Sequence, residues 1–384
     1  MPLIHGPKRA RSRPALCVPY AYGTLSISIL YAALRHTLTS SPTWEAFAML
    51  SPSVHKRAYA RIDAEPIRST ALSVDRKLPA ATTDVFSSKR QSLLPGWFTA
   101  LATPFERDSI AQKTFANFVA WQIGQGARGL VVCSATGEAA TLTPQERALL
   151  IEIAVETAAR RVPIVAATGT NCTSETIALT QAAQAAGAAA ALIVTPYYNK
   201  PSQEGLYRHY SEIARSVDLP LIIEIDPSHT GIDVCPETLA RLADIPTIIA
   251  SADAVGAQAG LADRPFLKRR DFMQLSGDDD SCVLFRLAGG NGSISIAANA
   301  VPNLWAEMHR ACDWGDWGRA AEIERRLLPL LRAVRSEPSP GTIKYALSFL
   351  RPWFSPATRL PLAPVSSDTA TAIVEALKGL DLIF

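Results

Sequence analysis

The amino-acid sequence predicts an α/β protein, a (β/α)8 barrel of the TIM type followed by a small C-terminal helical domain. From Gly96 onward, short apolar runs alternate with longer Ala-rich segments, and eight such runs are present. Successive runs start 21 to 34 residues apart, the length of one strand, one loop and one helix. Eight units close a barrel, in which active groups come from the carboxyl ends of the strands.

Each unit combines a short apolar strand with a segment in which polar residues interrupt apolar ones at helical spacing, as in 143–160 and 175–186. The strands are predicted to begin near Phe98, Gly129, Pro163, Ala189, Pro220, Thr247, Asp271 and Gly292.

The strand pattern stops after Val301, and amphipathic helices separated by Pro-rich links follow. We therefore expect a barrel over 96–300 and a helical domain over 301–384. The predicted C-terminal helices are 303–312, 316–335, 342–350 and 368–380.

The first 95 residues do not fit this pattern. Four basic residues precede an uncharged stretch over 14–34, in which Pro19 and Gly23 dilute the apolar character. Residues 40–95 are rich in Ser, Thr, Ala, Pro and Arg without a sustained period. Three interpretations stay open: a disordered or spuriously included extension, an organelle-targeting presequence, and a membrane anchor. Met49 is an alternative start to Met1.

Charge is distributed unevenly along the chain of 384 residues. Residues 1–94 hold 13 of the 38 Lys and Arg but only 5 of the 35 Asp and Glu, so the remainder holds 25 and 30. A mildly acidic folded part excludes a basic nucleic-acid face, and we expect neither a nucleic-acid nor a membrane partner. The six cysteines lack any CxxC pair or metal-ligand spacing, which indicates a reducing, cytoplasmic compartment and no metal or other cofactor.

The predicted strand ends carry small hydroxyl residues, glycines, a few carboxylates and two adjacent tyrosines, Tyr197 and Tyr198. Pro196 ends the fourth strand because it lacks an N–H donor, which places both phenols in a loop. This rim suits a small, oxygen-rich ligand whose carboxylate or carbonyl accepts hydrogen bonds. Either the tyrosines face a ligand or they fill an interface.

Several motifs together resemble one family. They are Ala-Leu-Ala-Thr-Pro-Phe from Ala100, Ala-Thr-Gly-Glu from Ala135, Val-Thr-Pro-Tyr-Tyr-Asn-Lys-Pro from Val194, Ser-Gly-Asp-Asp from Ser276, Gly-Gly-Asn-Gly-Ser-Ile-Ser from Gly289 and Arg-Leu-Pro-Leu from Arg359. The chain from Gly96 to about Ala376 resembles the dihydrodipicolinate synthase and N-acetylneuraminate lyase family of pyruvate-dependent class I aldolases. The resemblance implies condensation of pyruvate with aspartate semialdehyde through a lysine Schiff base, for lysine biosynthesis.

Some positions match the family's site. Thr136 keeps the second hydroxyl of the Gly-Thr-Thr-Gly-Glu pattern, and Tyr198 matches the proton-relay tyrosine contributed by the neighbouring subunit. The resemblance also implies substrate contacts at Thr136, Gly277 and Ile294, and assembly as a homodimer or homotetramer.

Four positions that perform the chemistry depart from the family. Ala135 replaces the first relay hydroxyl, Glu224 the relay tyrosine, His229 the carboxylate-binding arginine and Ala252 the Schiff-base lysine. Alanine has no lone pair to attack a keto carbon, so loss of the normal activity is expected. No other lysine of 96–300 is predicted to lie on a strand and point into the barrel.

Three functions are open: an inactive relic or subunit partner, an altered lyase or aldolase acting on a small keto acid, and a keto-acid or lysine-binding regulatory subunit. An altered enzyme could use a metal held by Glu224, Asp226, His229 and Asp253, but we favour an ion pair between Glu224 and His229. The lysine-binding hypothesis relies on a partly kept family pocket, at Asn171, Glu175 and Tyr197.

Overall fold

The structure, a computed structural model, describes residues 96–254 and 272–384. The predictions for the first 95 residues, including Met49 as an alternative start, lie outside the described residues, as does Lys268. None of the described helices is long and apolar enough to cross a membrane.

Eight parallel strands form a closed barrel, and the predicted fold class is confirmed. Neighbours around the barrel follow chain order, and the last strand pairs with the first. The predicted starts agree with the observed ones to within two residues. The barrel strands are β1 (Trp97–Ala100), β4 (Leu130–Val132), β5 (Ile164–Ala167), β6 (Ala190–Val194), β7 (Leu221–Ile225), β8 (Ile248–Asp253), β9 (Met273–Ser276) and β10 (Gly292–Ser295); β2 (Phe105–Glu106) and β3 (Ser109–Ile110) form a hairpin after β1.

Seven of the described helices accompany the barrel strands. The clearest boundary signal is at Thr143, whose hydroxyl accepts from the Glu146 N–H at 3.2 Å while the Glu146 carboxylate accepts from the Thr143 N–H at 2.9 Å. This capping box, followed by proline, starts the second helix at Pro144. The seven are α1 (Gln112–Gly124), α2 (Pro144–Ala158), α3 (Thr173–Ala185), α4 (Gln203–Ser216), α5 (Pro227–Thr230), α6 (Pro236–Ala243) and α7 (Cys282–Leu287).

Both faces of the barrel strands are buried, which explains their nearly continuous apolar sequence. Side chains alternate along each strand, so that Ile222 faces the barrel interior while Ile223 packs outward against the helices. The interior is filled by Phe98, Val131, Val165, Leu192, Ile222, Leu275, Ile294 and several alanines. The barrel is therefore a packed core that opens only toward its ends.

Four helices follow the barrel and share one hydrophobic core with its outer layer. Trp305 and Leu347 are fully buried in the same cluster as Phe118 and Leu130. The barrel and these helices therefore stabilise one another by common burial of apolar surface. The exact boundary between a 96–300 barrel and a 301–384 domain stays a prediction. The helices are α8 (Pro302–Asp313), α9 (Trp317–Arg335), α10 (Ser339–Leu350) and α11 (Ser367–Gly379).

Candidate active site at the carboxyl end of the barrel

Ala252 lies near the carboxyl end of β8, with its side chain in the barrel interior. It is 3% exposed and belongs to the interior cluster that contains Ile222 and Leu275. In the sheet register Ala252 stands beside Glu224 on one side and Leu275 on the other. A nucleophile at this position would face the active-site end of the barrel, but the methyl group of Ala252 has no reactive atom.

Glu224 is half-buried on β7, between Val194 and Ala252 in the register. Its side chain makes no hydrogen bond within the described part of the chain. Burial and, to a smaller extent, the charge of Asp226 raise the pKa of the Glu224 carboxyl to about 7, against an opposing effect of His229. A carboxyl group with this pKa is partly protonated at neutral pH, so it can donate or accept a proton there.

The expected ion pair between Glu224 and His229 is wrong, because His229 pairs with Asp226 instead. The Asp226 carboxylate lies 2.5 Å from His229 Nδ1, and it also caps α5 by accepting from the Ser228 N–H at 3.1 Å. The strand ends at Ile225, and Pro227 begins a helical turn that carries His229 back over Asp226. Glu224 lies two residues earlier, on the strand itself, and its side chain stays directed into the barrel.

Replacing Asp226 with Asn is expected to lower the pKa of His229. The pKa of His229 is raised chiefly by its hydrogen bond to the Asp226 carboxylate, against an opposing effect of burial. Asparagine removes the negative charge but keeps the side-chain shape, so the imidazolium loses its main stabilisation. NMR titration of the histidine ring protons measures the change.

A second histidine provides an internal control in the same titration. Burial holds the pKa of His209 at about 4, and its Nδ1 lies 2.9 Å from the Thr173 hydroxyl, away from Asp226. Its titration is expected to stay unchanged in Asp226→Asn. An unchanged pKa of His229 in this variant would contradict the pairing with Asp226.

The loop after β4 places Thr136 in a buried position and Ala135 in an exposed one. The Thr103 hydroxyl donates to the Gly137 carbonyl at 2.7 Å, and the Gly137 N–H donates to the Ser134 carbonyl at 3.0 Å. A Cβ atom at Gly137 would lie only 3.0 Å from the Leu101 carbonyl oxygen, a tight contact that favours glycine there. Thr136 is thus held in a tight turn, while the residue before it, Ala135, has no hydroxyl group.

This turn is fixed by a buried ion pair that the sequence reasoning missed. Glu138 adopts a left-handed conformation with φ of 59°, and its carboxylate contacts the ammonium of Lys344 on α10. Both side chains are fully buried. Lys344 Nζ also donates to the Ala357 carbonyl at 2.8 Å, and the second Glu138 oxygen accepts from the Arg359 N–H at 2.9 Å. A single charge among apolar residues of a predicted helix was the available signal.

Arg359, in the Arg-Leu-Pro-Leu motif, extends the same network. Its guanidinium donates to both oxygens of Glu146, at 2.6 and 2.9 Å, and lies 4.4 Å from the centre of the Phe105 ring. Hydrogen bonding to Arg359 lowers the pKa of Glu146 to about 2. The C-terminal segment therefore supports the loop that carries Thr136.

The described lysines do not replace the missing nucleophile. Lys113, Lys200 and Lys378 are exposed, and none of the described lysines lies on a barrel strand. Burial lowers the pKa of Lys344 to about 8, against the opposing charge of Glu138, so the amine is mostly protonated at pH 7. Its contacts with Glu138 and Ala357 occupy it and keep it from a substrate.

Tyr198 projects away from the chain, with 89% of its surface exposed and φ of 70°, whereas Tyr197 is 39% exposed. The Asn199 side-chain amide donates to the Asn171 carbonyl at 2.9 Å, which joins this loop to the one after β5. Glu175 is exposed in the first turn of α3. The tyrosine loop, which carries Tyr197 and Tyr198, therefore lies next to Asn171.

The remaining candidate substrate contacts lie on two strands that close the barrel. Gly277 directly follows β9, and its N–H donates to the Asp253 carbonyl at 2.8 Å. Ile294 is on β10 with its side chain in the barrel interior. Across 96–254 and 272–384, no three His, Cys, Asp or Glu residues are grouped so that they could hold a metal ion. Glu224, Asp226 and His229 therefore do not form a metal centre.

The model of the dihydrodipicolinate synthetase family matches residues 93–380. The 4-hydroxy-tetrahydrodipicolinate synthase of Bartonella bacilliformis is 43% identical over 293 residues, which cover 76% of this chain and 99% of that protein. The synthase of Sphingopyxis alaskensis is 42% identical over 291 residues, covering 76% of this chain and 100% of that protein.

Solved structures give the same result. Dihydrodipicolinate synthase from Thermotoga maritima matches with a TM-score of 0.73 and 34% identity, over 76% of this chain and 100% of that one. The Acinetobacter baumannii enzyme, solved in complex with pyruvate, matches with a TM-score of 0.73 and 37% identity over the same shares of the two chains. The chain therefore belongs to the dihydrodipicolinate synthetase family.

Proposed function

We propose that this chain has lost the Schiff-base condensation of its family and serves as an inactive relic or as a subunit partner of an active relative. The observation that carries the proposal is Ala252, a methyl group in the barrel interior at the position that matches the Schiff-base lysine. An imine can form only from a neutral amine, and none of the eight barrel strands carries a lysine.

The other departures support the same conclusion. Ala135 removes one relay hydroxyl, and His229 is already paired with Asp226, so it does not supply the free cation that a substrate carboxylate requires. Thr136, Gly277, Ile294 and Tyr198 are kept, but none of them supplies the amine that imine formation requires. A small keto acid remains the ligand that this rim suits.

A second candidate function is altered lyase or aldolase chemistry on a small keto acid without a Schiff base. Glu224 favours it, because this carboxyl group lies beside Ala252 and burial raises its pKa to about 7. Such a group can remove a proton from the carbon next to a keto group at neutral pH. A regulatory subunit that binds lysine or a keto acid is a weaker candidate, supported by the proximity of Asn171 to the tyrosine loop.

One experiment separates an inactive member from the altered enzyme: the purified protein is incubated with pyruvate in deuterated buffer, with and without borohydride. Intact mass detects a reduced lysine adduct, and proton NMR detects loss of the pyruvate methyl signal through exchange. For an inactive member we expect neither, because Ala252 cannot form the imine. The synthase of Bartonella bacilliformis is the positive control.

The other outcomes are equally distinct. A covalent pyruvate adduct would overturn the proposed loss of Schiff-base chemistry, whichever lysine carried it. Methyl exchange without an adduct would support the altered enzyme, and in that case Glu224→Gln should abolish the exchange.

Assembly as a homodimer or homotetramer and a cytoplasmic location belong to the same proposal. The exposure of Tyr198 supports assembly, since a large aromatic side chain projecting from one subunit is suited to burial against another. Sedimentation equilibrium that finds only monomer would contradict it.

A further inference from the structure

A cavity of about 350 Å³ lies at the amino-terminal end of the barrel, opposite the candidate active site. Trp97 at the start of β1, Gln125 and Arg128 before β4, and His309 and Arg310 on α8 contribute to its wall. The volume is within the range of small-molecule sites in proteins. Because the strands separate the two ends, this cavity is independent of the function proposed for the other end.

The charge of the cavity wall is positive. Within 96–254 and 272–384, Arg128 and Arg310 are exposed and make neither a hydrogen bond nor an ion pair through their side chains. The acidic residue of the wall, Asp313, is already paired with Arg286 at 2.6 Å. The cavity wall therefore carries two arginines that make no ion pair and one aspartate that is already paired with another residue.

His309 adds an uncharged aromatic ring to the cavity wall. Its ring is 2% exposed and stacks on Trp97, with ring centres 5.9 Å apart. Burial, together with the charges of Arg286 and Arg128, lowers the pKa of His309 to about 3, so the imidazole is uncharged at neutral pH.

His309 Nε2 takes part in a buried hydrogen-bond network. It lies 2.9 Å from the Ser293 hydroxyl oxygen and 3.4 Å from the Cys282 thiol, and Trp305 Nε1 donates to the same hydroxyl at 3.3 Å. These contacts hold the ring in place in the cavity wall.

We propose that this cavity binds a small organic dianion, either a phosphorylated compound or a dicarboxylate. Arg128 and Arg310 supply the charge, since guanidinium groups donate paired hydrogen bonds to phosphate and carboxylate oxygens. The amide of Gln125, also in the cavity wall, can supply a neutral donor. The volume leaves room for a short carbon skeleton next to the anionic groups.

Isothermal titration calorimetry of the full chain with inorganic phosphate and, separately, with succinate tests this site. Saturable binding of at least one anion is expected, and Arg128→Gln and Arg310→Gln should each weaken it about tenfold by removing one charge-assisted contact. Tighter binding of phosphate would point to a phosphorylated ligand, and tighter binding of succinate to a dicarboxylate.

Arg325→Gln is the matched control, because Arg325 is an exposed arginine on α9 that does not line the cavity. This variant should change the affinity less than about twofold, since exposed charges are screened by salt. Equal weakening in all three variants would reveal nonspecific ionic attraction and overturn the proposal. The absence of saturable heat with either anion up to about 10 mM would also overturn it.

Discussion

Lys344→Met is expected to lower the free energy of unfolding by about 3–5 kcal/mol. Lys344 and Glu138 are both fully buried, and the ammonium contacts the Glu138 carboxylate and the Ala357 carbonyl. Methionine fills the space of the lysine chain but leaves a buried carboxylate without its cation. Removal of one partner exposes the full desolvation cost of the other, and this cost far exceeds the net value of the pair.

The loss of stability in Lys344→Met should depend on the charge of Glu138. In Lys344→Met/Glu138→Gln the uncompensated charge is gone, and the amide oxygen can still accept from the Arg359 N–H. The double variant is therefore expected to be more stable than Lys344→Met alone, with a coupling energy of about 1–3 kcal/mol. Urea unfolding followed by circular dichroism, at equal protein concentrations, gives the values.

Lys378→Met is the matched control, since Lys378 is exposed near the end of α11. It should change stability by less than about 0.5 kcal/mol. A loss below about 1 kcal/mol in Lys344→Met would contradict a structural role for the buried pair.

The barrel could be predicted from the sequence because its signals are local. Each strand is a short apolar run, and each helix carries its own period and start signals, such as the capping box at Thr143. Counting eight units then gave the closed topology without any knowledge of long-range contacts. The family motifs located the same loops at the carboxyl ends of the strands.

Side-chain partners were harder to predict. The pairing of His229 depends on Asp226 followed by Pro227, which is itself a helix-start signal and could have suggested the local contact. The contact between Lys344 and Glu138 joins residues 206 positions apart. It depends on how α10 packs against the barrel, which no local pattern encodes.

Ala252→Lys is expected to trap pyruvate under borohydride, but slowly, whereas Ala252→Lys/Glu224→Gln should react about 10- to 1000-fold faster at pH 7. The new amine would lie beside Glu224 in the register of β7 and β8. The Glu224 carboxylate would stabilise the ammonium and raise its pKa, which reduces the fraction of neutral nucleophile. Each unit of that pKa changes the neutral fraction tenfold.

Glu224→Gln removes the negative charge beside the new lysine, so that its surroundings favour the neutral amine over the ammonium. Around Ala252 the barrel interior contains Ile222, Leu275 and Ile294, and such apolar surroundings favour the neutral amine. The rate of adduct formation against pH should therefore level off at lower pH in the double variant than in Ala252→Lys.

Ala252→Met provides the control for side-chain volume, since it fills the same space without an amine and should give no adduct. Equal trapping rates in Ala252→Lys and Ala252→Lys/Glu224→Gln would contradict an effect of the Glu224 charge. Faster trapping in the double variant would show that the departures at Ala252 and Glu224 depend on each other. In a chain that has already lost the lysine, a carboxylate at position 224 has no imine formation left to slow. With that carboxylate in place, restoring the lysine alone would not restore the neutral amine that the family's chemistry requires.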